Sequence, residues 1–237
     1  MTSMDSKKHS LKAFYTTKAM PCDYFSDRQD VKTIADLNGR DAQLWANVLS
    51  RAGFRRSFDL CYIPSCPNCQ ACISVRVRVQ DFQISKTMKK TLKINRDLRM
   101  SFVPNVATAE QYGLFKSYLS ARHSGGEMEK MDFEEYRAMI ENSPIETNLI
   151  EFRFGDDLCA VMLTDTFDDG FSAVYSFFNP ALSKRSLGTF MILELIRLAR
   201  ENNKAYVYLG YLIRGLSNMA YKERFSALEY YRNGEWR

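Results

Sequence analysis

Three extended runs, 148–154, 158–166 and 171–178, are separated by the tight turns Gly155-Asp156-Asp157 and Asp168-Asp169-Gly170. Turns this short join antiparallel neighbours, so the runs predict a β-meander. The elements after the meander constrain the fold further. A long helix from Ser186 to about Asn202 leads into the strand Ala205–Leu212. Strand, helix and strand in that order form a crossover unit, whose connection is expected to be right-handed. Ahead of the meander the periodicity is helical, through Gln111–Leu119 and again through Phe133–Ile140 behind the cap Asp132, with Gly125-Gly126 breaking the chain between them. The fold class expected is α/β (α+β).

Residues 15–60 hold one clear helical segment, Asp41–Leu49, stopped by Gly53. Next comes Tyr62-Ile-Pro-Ser-Cys66-Pro-Asn-Cys69-Gln-Ala-Cys72, which enters the alternating strand 73–79. Three thiols close on a structural zinc only with a fourth ligand, and Cys22 and Cys61 are the other candidates. The place a ferredoxin-type run would give to its next cysteine holds Arg76, so an iron–sulfur cluster of that type is not expected. The alternative to a metal site at Cys22, Cys66, Cys69 and Cys72 is a turn with three reduced thiols. A junction at Pro104-Asn105 divides the chain into 1–105, with the cysteine turn and a basic helix, and 106–237. Two helices, a meander and a helix crossing to another strand also follow the element order of GNAT-like acyltransferases.

The basic helix carries Lys86, Lys89, Lys90, Lys93, Arg96 and Arg99 against Asp97 alone, a net +5 that equals the charge of the whole 237-residue chain. Helical spacing puts 86, 89, 90, 93 and 96 on one stripe, while Met88, Thr91, Leu92 and Leu98 fall elsewhere. Such a stripe suits a nucleic-acid backbone, because each cation set near a phosphate releases counterions; a solvated helix face is the plainer reading. The first dozen residues are polar and basic (Lys7, Lys8, His9, Lys12), with no apolar block behind them. Neither a signal peptide nor a membrane span is expected, and six cysteines, three of them bunched, fit a reducing compartment, the cytoplasm.

His9 and His123 lack partners for a nucleophilic triad, and no Gly-x-Ser-x-Gly elbow, Walker loop or paired-histidine zinc motif occurs. Strands 171–178 and 205–212 are dense in aromatics around Ser172, Ser176 and Gly210, and alternation sets Tyr175 and Phe177 on one face with Ser176 and Phe178 on the other. Most of these rings are core; Tyr175, Ser176 and Tyr208 are the candidates for orienting a reacting group. Ser186 reads as an N-cap, and Gly188 opens the first helical turn to an anion. A coenzyme A pyrophosphate is usually cradled by a richer Gly-x-Gly turn, so the single glycine argues against that cofactor.

Pro21-Cys22-Asp-Tyr24, Ser50-Arg-Ala-Gly-Phe54-Arg55-Arg56-Ser57, the cysteine run, Ala173-Val-Tyr-Ser-Phe-Phe178, Arg185-Ser-Leu-Gly-Thr-Phe190, Tyr208-Leu-Gly-Tyr211 and Met219-Ala-Tyr-Lys222 occur in this order. Together they resemble the bacterial aspartate/glutamate leucyltransferases, relatives of the arginyl-tRNA–protein transferases, from about Phe14 to about Tyr230. The resemblance implies an N-terminal arginyltransferase-type domain, a C-terminal GNAT-like domain, and transfer of leucine from leucyl-tRNA to proteins or peptides beginning with Asp or Glu, in the N-degron route to degradation. It implies no cofactor beyond the leucyl-tRNA that supplies the acyl group. It also implies that Ser186, Gly188 and Thr189 meet the 3′-terminal adenosine, with Lys86, Lys89, Lys90 and Lys93 on the tRNA backbone. An acidic acceptor calls for cations in a recess, where Arg76 is the first candidate and Arg56 and Lys222 the next. The alternatives left open are an arginyl donor, an acetyl-coenzyme A acetyltransferase, and a non-catalytic adaptor that binds RNA or protein N-termini.

Overall fold

The computed structural model describes residues 12–216 and 219–237; Lys7, Lys8 and His9 lie outside the described residues. The chain begins with the short strands β1 (Tyr15–Thr16), β2 (Met20–Pro21) and β3 (Gln29–Asp30), then β4 (Lys32–Asp36), α1 (Ala42–Arg51), β5 (Arg55–Ser57) and β6 (Leu60–Pro64). Strands β1, β4, β6 and β5 form one small sheet in that spatial order, and β2 pairs with β3 as a separate hairpin. There follow β7 (Cys72–Arg78), α2 (Lys86–Ile94), β8 (Arg99–Pro104), α3 (Ala109–Arg122), α4 (Phe133–Glu141), β9 (Thr147–Phe154), β10 (Asp157–Thr166), β11 (Gly170–Phe178), α5 (Leu187–Glu201), β12 (Tyr206–Ile213), β13 (Leu228–Arg232) and β14 (Glu235–Trp236). The second sheet has eight strands in the order β14-β13-β7-β12-β11-β10-β9-β8.

The meander and the crossover stand where the periodicity placed them: β9, β10 and β11 run antiparallel, and β11 pairs parallel with β12 across α5. Alternation along the strands supplies two cores. On one face Met191 and Leu195 of α5 and Met88 of α2 pack on Val75, Val77, Phe152, Met162 and Leu209. On the other, Phe115 and Leu119 of α3 and Tyr136 and Ile140 of α4 pack on Leu149, Val161, Leu163 and Phe177. The N-terminal unit covers the rest of that second face, with Ala42, Ala46 and Leu49 of α1 joining Phe167 and Tyr208.

Several features differ from the sequence reading. The basic helix is shorter, since Asn95 ends it by donating its side-chain amide to Thr91 O and Arg185 O. Strand β8 follows it, where only a loosened pattern is visible in the sequence, and two further strands, β13 and β14, close the far edge. Thr108 starts α3 through a capping box with Gln111. Ser186 is not a side-chain cap: it sits at φ 53° as the joint between a short 3-10 turn (Pro180–Arg185) and α5, and makes no capping bond. An N-cap hydroxyl reaches back to the free amides from extended backbone, which this joint does not have. The expected division at 105 falls just after β8, and the large sheet runs across it, because β7 from Ile73 to Val77 is buried throughout as a central strand.

The N-terminal unit is held to the large sheet by a buried ion pair. Arg56 on β5 donates through Nε and Nη2 to the two carboxylate oxygens of Asp165 on β10, at 2.7 and 2.6 Å, while its Nη1 donates to Phe58 O at 2.7 Å. Thr147 Oγ1 donates to the same carboxylate at 2.8 Å. Arg56 is thereby fully engaged rather than open to an acceptor. Removing one partner of a buried, hydrogen-bonded pair leaves an uncompensated charge, so Asp165→Ala is expected to lower the unfolding free energy by about 3–5 kcal/mol in urea denaturation. A loss within about 0.5 kcal/mol, the range of ordinary surface substitutions, would show that the pair does not hold the two parts together.

Candidate active site

The parallel strands β11 and β12 pair only at their beginnings, Gly170 with Tyr206, Phe171 with Val207 and Ser172 with Tyr208, and then part. Each strand carries an irregularity on its outer side at that point. The β10–β11 register skips Val174, and the β12–β7 register skips Leu209 just before Gly210 at φ +71°. The skipped Val174 presents its carbonyl to the gap, and Arg55 fills the opening: its Nη2 donates to Val174 O. A Cβ on Gly210 would come within 2.9 Å of Arg55 Nη1, so glycine is what admits the guanidinium. Adjacent residues of a strand point to opposite sides, so the clamp that buries Arg56 aims Arg55 into the gap.

Lys222, from the turn Ala220–Arg224 after β12, lies beside Arg55, 7% exposed, and donates from Nζ to Tyr211 O at 2.5 Å. Burial, reinforced by the neighbouring guanidinium, pushes its pKa down to about 7. Among the described residues neither Arg55 nor Lys222 forms an ion pair with a carboxylate. Tyr175 of β11 and Tyr221 lie within electrostatic reach of both Arg55 and Tyr118 of α3. Burial raises all three phenols above the ordinary tyrosine value, so each is a protonated donor. Two cations and three phenols without a counter-charge make a site for an anion.

On the other side of β11, Ser176 and Phe178 face α5, and a Cβ on Gly188 would lie 3.5 Å from the Phe178 ring. Tyr118 packs on Phe178 with ring centroids 4.9 Å apart, so α3, the end of β11 and the start of α5 with Ser186, Gly188 and Thr189 meet at one edge of the recess. Lys86, Lys89, Lys90 and Lys93 are exposed on α2, which packs against α5. A separate cavity of about 620 Å³ is lined by Leu114, Phe154, Asp157, Leu182 and Arg185, and its lining cation, Arg185, is already paired with Asp97, as Glu110 is with Arg153.

Arg76 lies apart from this recess, whereas Tyr208 lines a small cavity together with Arg55, Ser172 and Gly210. Arg76 is not an exposed guanidinium beside a cleft: it is 7% exposed, bonded to Glu229 at 2.7 Å, and its guanidinium carbon lies 3.5 Å from the Tyr206 ring centre and 4.3 Å from that of Trp236. The cause is register, because Glu229 on β13 stands directly opposite it. Tyr208 is buried at the paired end of the strands, donating to Asp169 at 3.0 Å and accepting from Arg76 at 3.3 Å. Nor do the cysteines form a ligand set. Cys69 Sγ accepts from Arg28 at 3.3 Å, Cys66 Sγ contacts the backbone of Val31, and burial pushes the Cys72 thiol up to about 11. Among the described residues no group of three or more His, Cys, Asp or Glu side chains is placed to hold a metal. Through Arg28 and Val31 the turn instead fastens the β2–β3 hairpin, which brings Tyr24 near Arg55.

Arg55 lies, like Arg56, Lys222 and Arg224, in a family-like segment, but the sequence ranks Arg76 ahead of it and does not single it out. The signal available was the pair Arg55-Arg56 on a short strand, which must split between two sides. Tyr118 and Tyr221 carried no periodic signal of their own.

Lys222 makes stability depend on pH. Its folded pKa lies below the unfolded value, so its unfavourable contribution is complete below pH 7 and is relieved as pH rises toward the unfolded lysine value. Between pH 6.5 and 9.5 the wild-type protein is expected to gain on the order of 2 kcal/mol relative to Lys222→Met in urea unfolding. A pH-independent difference between the two proteins would contradict the burial of an unpaired amine.

Residues 20–90 match the family profile described as arginine-tRNA-protein transferase, N terminus, and residues 110–232 match the profile for its C terminus. The chain is 48% identical over 224 residues to the aspartate/glutamate leucyltransferase of Gluconacetobacter diazotrophicus, covering 94% of this chain and 86% of that one. It is 48% identical over 225 residues to that of Paramagnetospirillum magneticum, covering 94% and 92%. Among solved structures, L-PGS from Bacillus licheniformis superposes with a TM-score of 0.48 at 12% identity, over 63% of this chain and 48% of that chain.

Proposed function

The chain belongs to the arginine-tRNA–protein transferase family, and we propose that it transfers leucine from leucyl-tRNA to the N-terminal amine of proteins beginning with Asp or Glu, marking them for degradation. The observation that carries the reading is the recess at the parted strands, whose Arg55 and Lys222 have no carboxylate partner among the described residues. An acidic side chain supplies the missing charge, and the guanidinium holds it by charge-assisted hydrogen bonds. The relatives whose names state an Asp/Glu acceptor and a leucyl group fit that chemistry.

An aminoacyl ester is already activated, so transfer needs positioning, donors for the developing oxyanion and a route for the amine's proton. The protonated phenols of Tyr118, Tyr175 and Tyr221 supply donors at the recess. Ser176 stands on the α5 side of the same strand, where the first turn of α5 at Gly188 and Thr189 offers free backbone N–H groups to the 3′-terminal adenosine, and Ser186, whose N–H is taken by Ser183 O, offers its hydroxyl. Lys86, Lys89, Lys90 and Lys93 continue from there as an exposed cationic face for the tRNA backbone, set by charge and not by base identity. Parallel strands that part beside a helix N-terminus, behind a meander, suit a GNAT-like acyltransferase arrangement.

No helix among the described residues is long and apolar enough to cross a membrane, and Cys22, Cys61, Cys66, Cys69, Cys72 and Cys159 are all free thiols. A reducing cytoplasm suits them.

Labelled leucyl-tRNA, arginyl-tRNA and acetyl-coenzyme A offered with peptides beginning in Asp, Glu, Arg or Lys test the reading. Leucine is expected on the Asp and Glu peptides alone. Label from acetyl-coenzyme A, or leucine on basic N-termini, would contradict it.

A further inference from the structure

Attack on an ester requires an unprotonated amine, whereas a peptide α-amine, with an ordinary pKa of about 7.7–8.0, is mostly ammonium at neutral pH. A proton therefore has to leave before the bond forms. The recess contains few groups able to take it. Tyr118, Tyr175 and Tyr221 are held protonated by burial, and Arg55 is a permanent cation. Glu223, next to Lys222, is spent on Arg214 at 3.2 Å, and Arg224 is exposed. His123 is exposed at the end of α3, its ring 5.5 Å from that of Tyr118. Lys222 remains: an amine 7% exposed, anchored on Tyr211 O, with Arg55 as the charged group acting on it.

We propose that Lys222 is the proton acceptor of the transfer, and that the acidic side chain of the incoming acceptor, lodged beside Lys222 and Arg55, is what makes it basic enough to serve. The proposal rests on the transferase reading above and assigns that site its proton route. In the empty recess burial and Arg55 disfavour a second cation, and Lys222 is poised near pH 7 to lose its proton. A carboxylate placed within about 4–6 Å reverses that balance and favours the ammonium form. The α-ammonium of the same residue then passes its proton to Lys222 Nζ. The freed lone pair attacks the ester carbonyl carbon, the bond from that carbon to the ribose oxygen breaks, and a second proton from the same nitrogen ends on the leaving hydroxyl. The products are an amide, a free tRNA end and a protonated Lys222. A neutral first residue leaves Lys222 facing Arg55 without compensation, so discrimination against it falls on turnover as well as on binding.

The test compares wild type with Lys222→Arg, which keeps a charge but cannot accept the proton, using leucyl-tRNA and an Asp-initiated peptide from pH 6 to 9.5. At pH 7 the variant is expected to lose about a hundredfold or more in kcat, while KM for the peptide changes within about threefold and leucyl-tRNA still binds. An α-aminooxy analogue of the same peptide, whose nitrogen is already unprotonated at neutral pH, is expected to recover most of the lost turnover. His123→Gln is expected to leave the pH profile unchanged. The wild type alone gives a second reading if the variant fails to fold: its turnover rises with pH for the amine acceptor and not for the aminooxy one. A wild-type protein that moves no leucine to the Asp peptide overturns the transferase reading, and this proposal with it. Wild-type turnover and pH profile in Lys222→Arg, an equal loss with both acceptors, a pH limb that follows His123, or a wild-type limb that is the same for the amine and aminooxy acceptors overturns the proposal alone.

Discussion

The geometry of the recess depends on the buried pair between Arg56 and Asp165. Two charges taken out of water gain little net stability, but they specify position, because the guanidinium fork fits one carboxylate orientation. Here the pair joins β5 of the N-terminal unit to β10 of the large sheet, with Thr147 and Phe58 satisfying the remaining polar atoms. Fixing Arg56 on one side of a strand fixes its neighbour on the other. Arg55 has no freedom to choose a different wall of the molecule.

The sheet has to be open where Arg55 arrives, and the two irregular registers provide the opening. Skipping Val174 frees a carbonyl for the guanidinium, and the positive φ of Gly210 turns β12 away without a side chain that would collide with it. Lys222 then closes the recess with an amine tied to the backbone of β12. A guanidinium and a buried amine this close disfavour a second charge, and among the described residues neither pairs with a carboxylate, so an incoming carboxylate relieves that cost. Recognition of an acidic acceptor and relief of that electrostatic strain are one event.

How much of this was legible in the sequence depends on the range of each interaction. The meander, the crossover helix and the basic stripe of α2 rest on turns and periodicities spanning at most a few tens of residues, and each stands in the structure within a few residues of its expected place. Strands β8 and β13 gain their places in the large sheet from neighbours distant in the chain, whereas the β13–β14 hairpin has a local mark in Asn233-Gly234, both at positive φ. Arg76 shows the same limit. Its type and strand position suited a carboxylate reader, but its partner Glu229 lies 153 residues away and reaches it only through the register of β13 on β7. Lys222 was legible as a candidate, whereas Arg55 became distinguishable from Arg56 only once Asp165 was seen beside the latter. The cysteine spacing suggested a metal, yet these thiols bond to Arg28 and Val31 and fasten the hairpin that carries Tyr24.

The central claim is that Arg55, in the gap between β11 and β12, reads the carboxylate of the acceptor's first residue. The most direct measurement is a cycle of kcat/KM values for peptides that begin in Asp or Asn, each with wild type and Arg55→Ala, at fixed leucyl-tRNA. Charge-assisted hydrogen bonds contribute about 1.5–3 kcal/mol, so the preference for Asp over Asn is expected to shrink by about tenfold to a hundredfold in the variant. An undiminished preference in a folded Arg55→Ala protein that still binds leucyl-tRNA would place the carboxylate elsewhere and contradict the account.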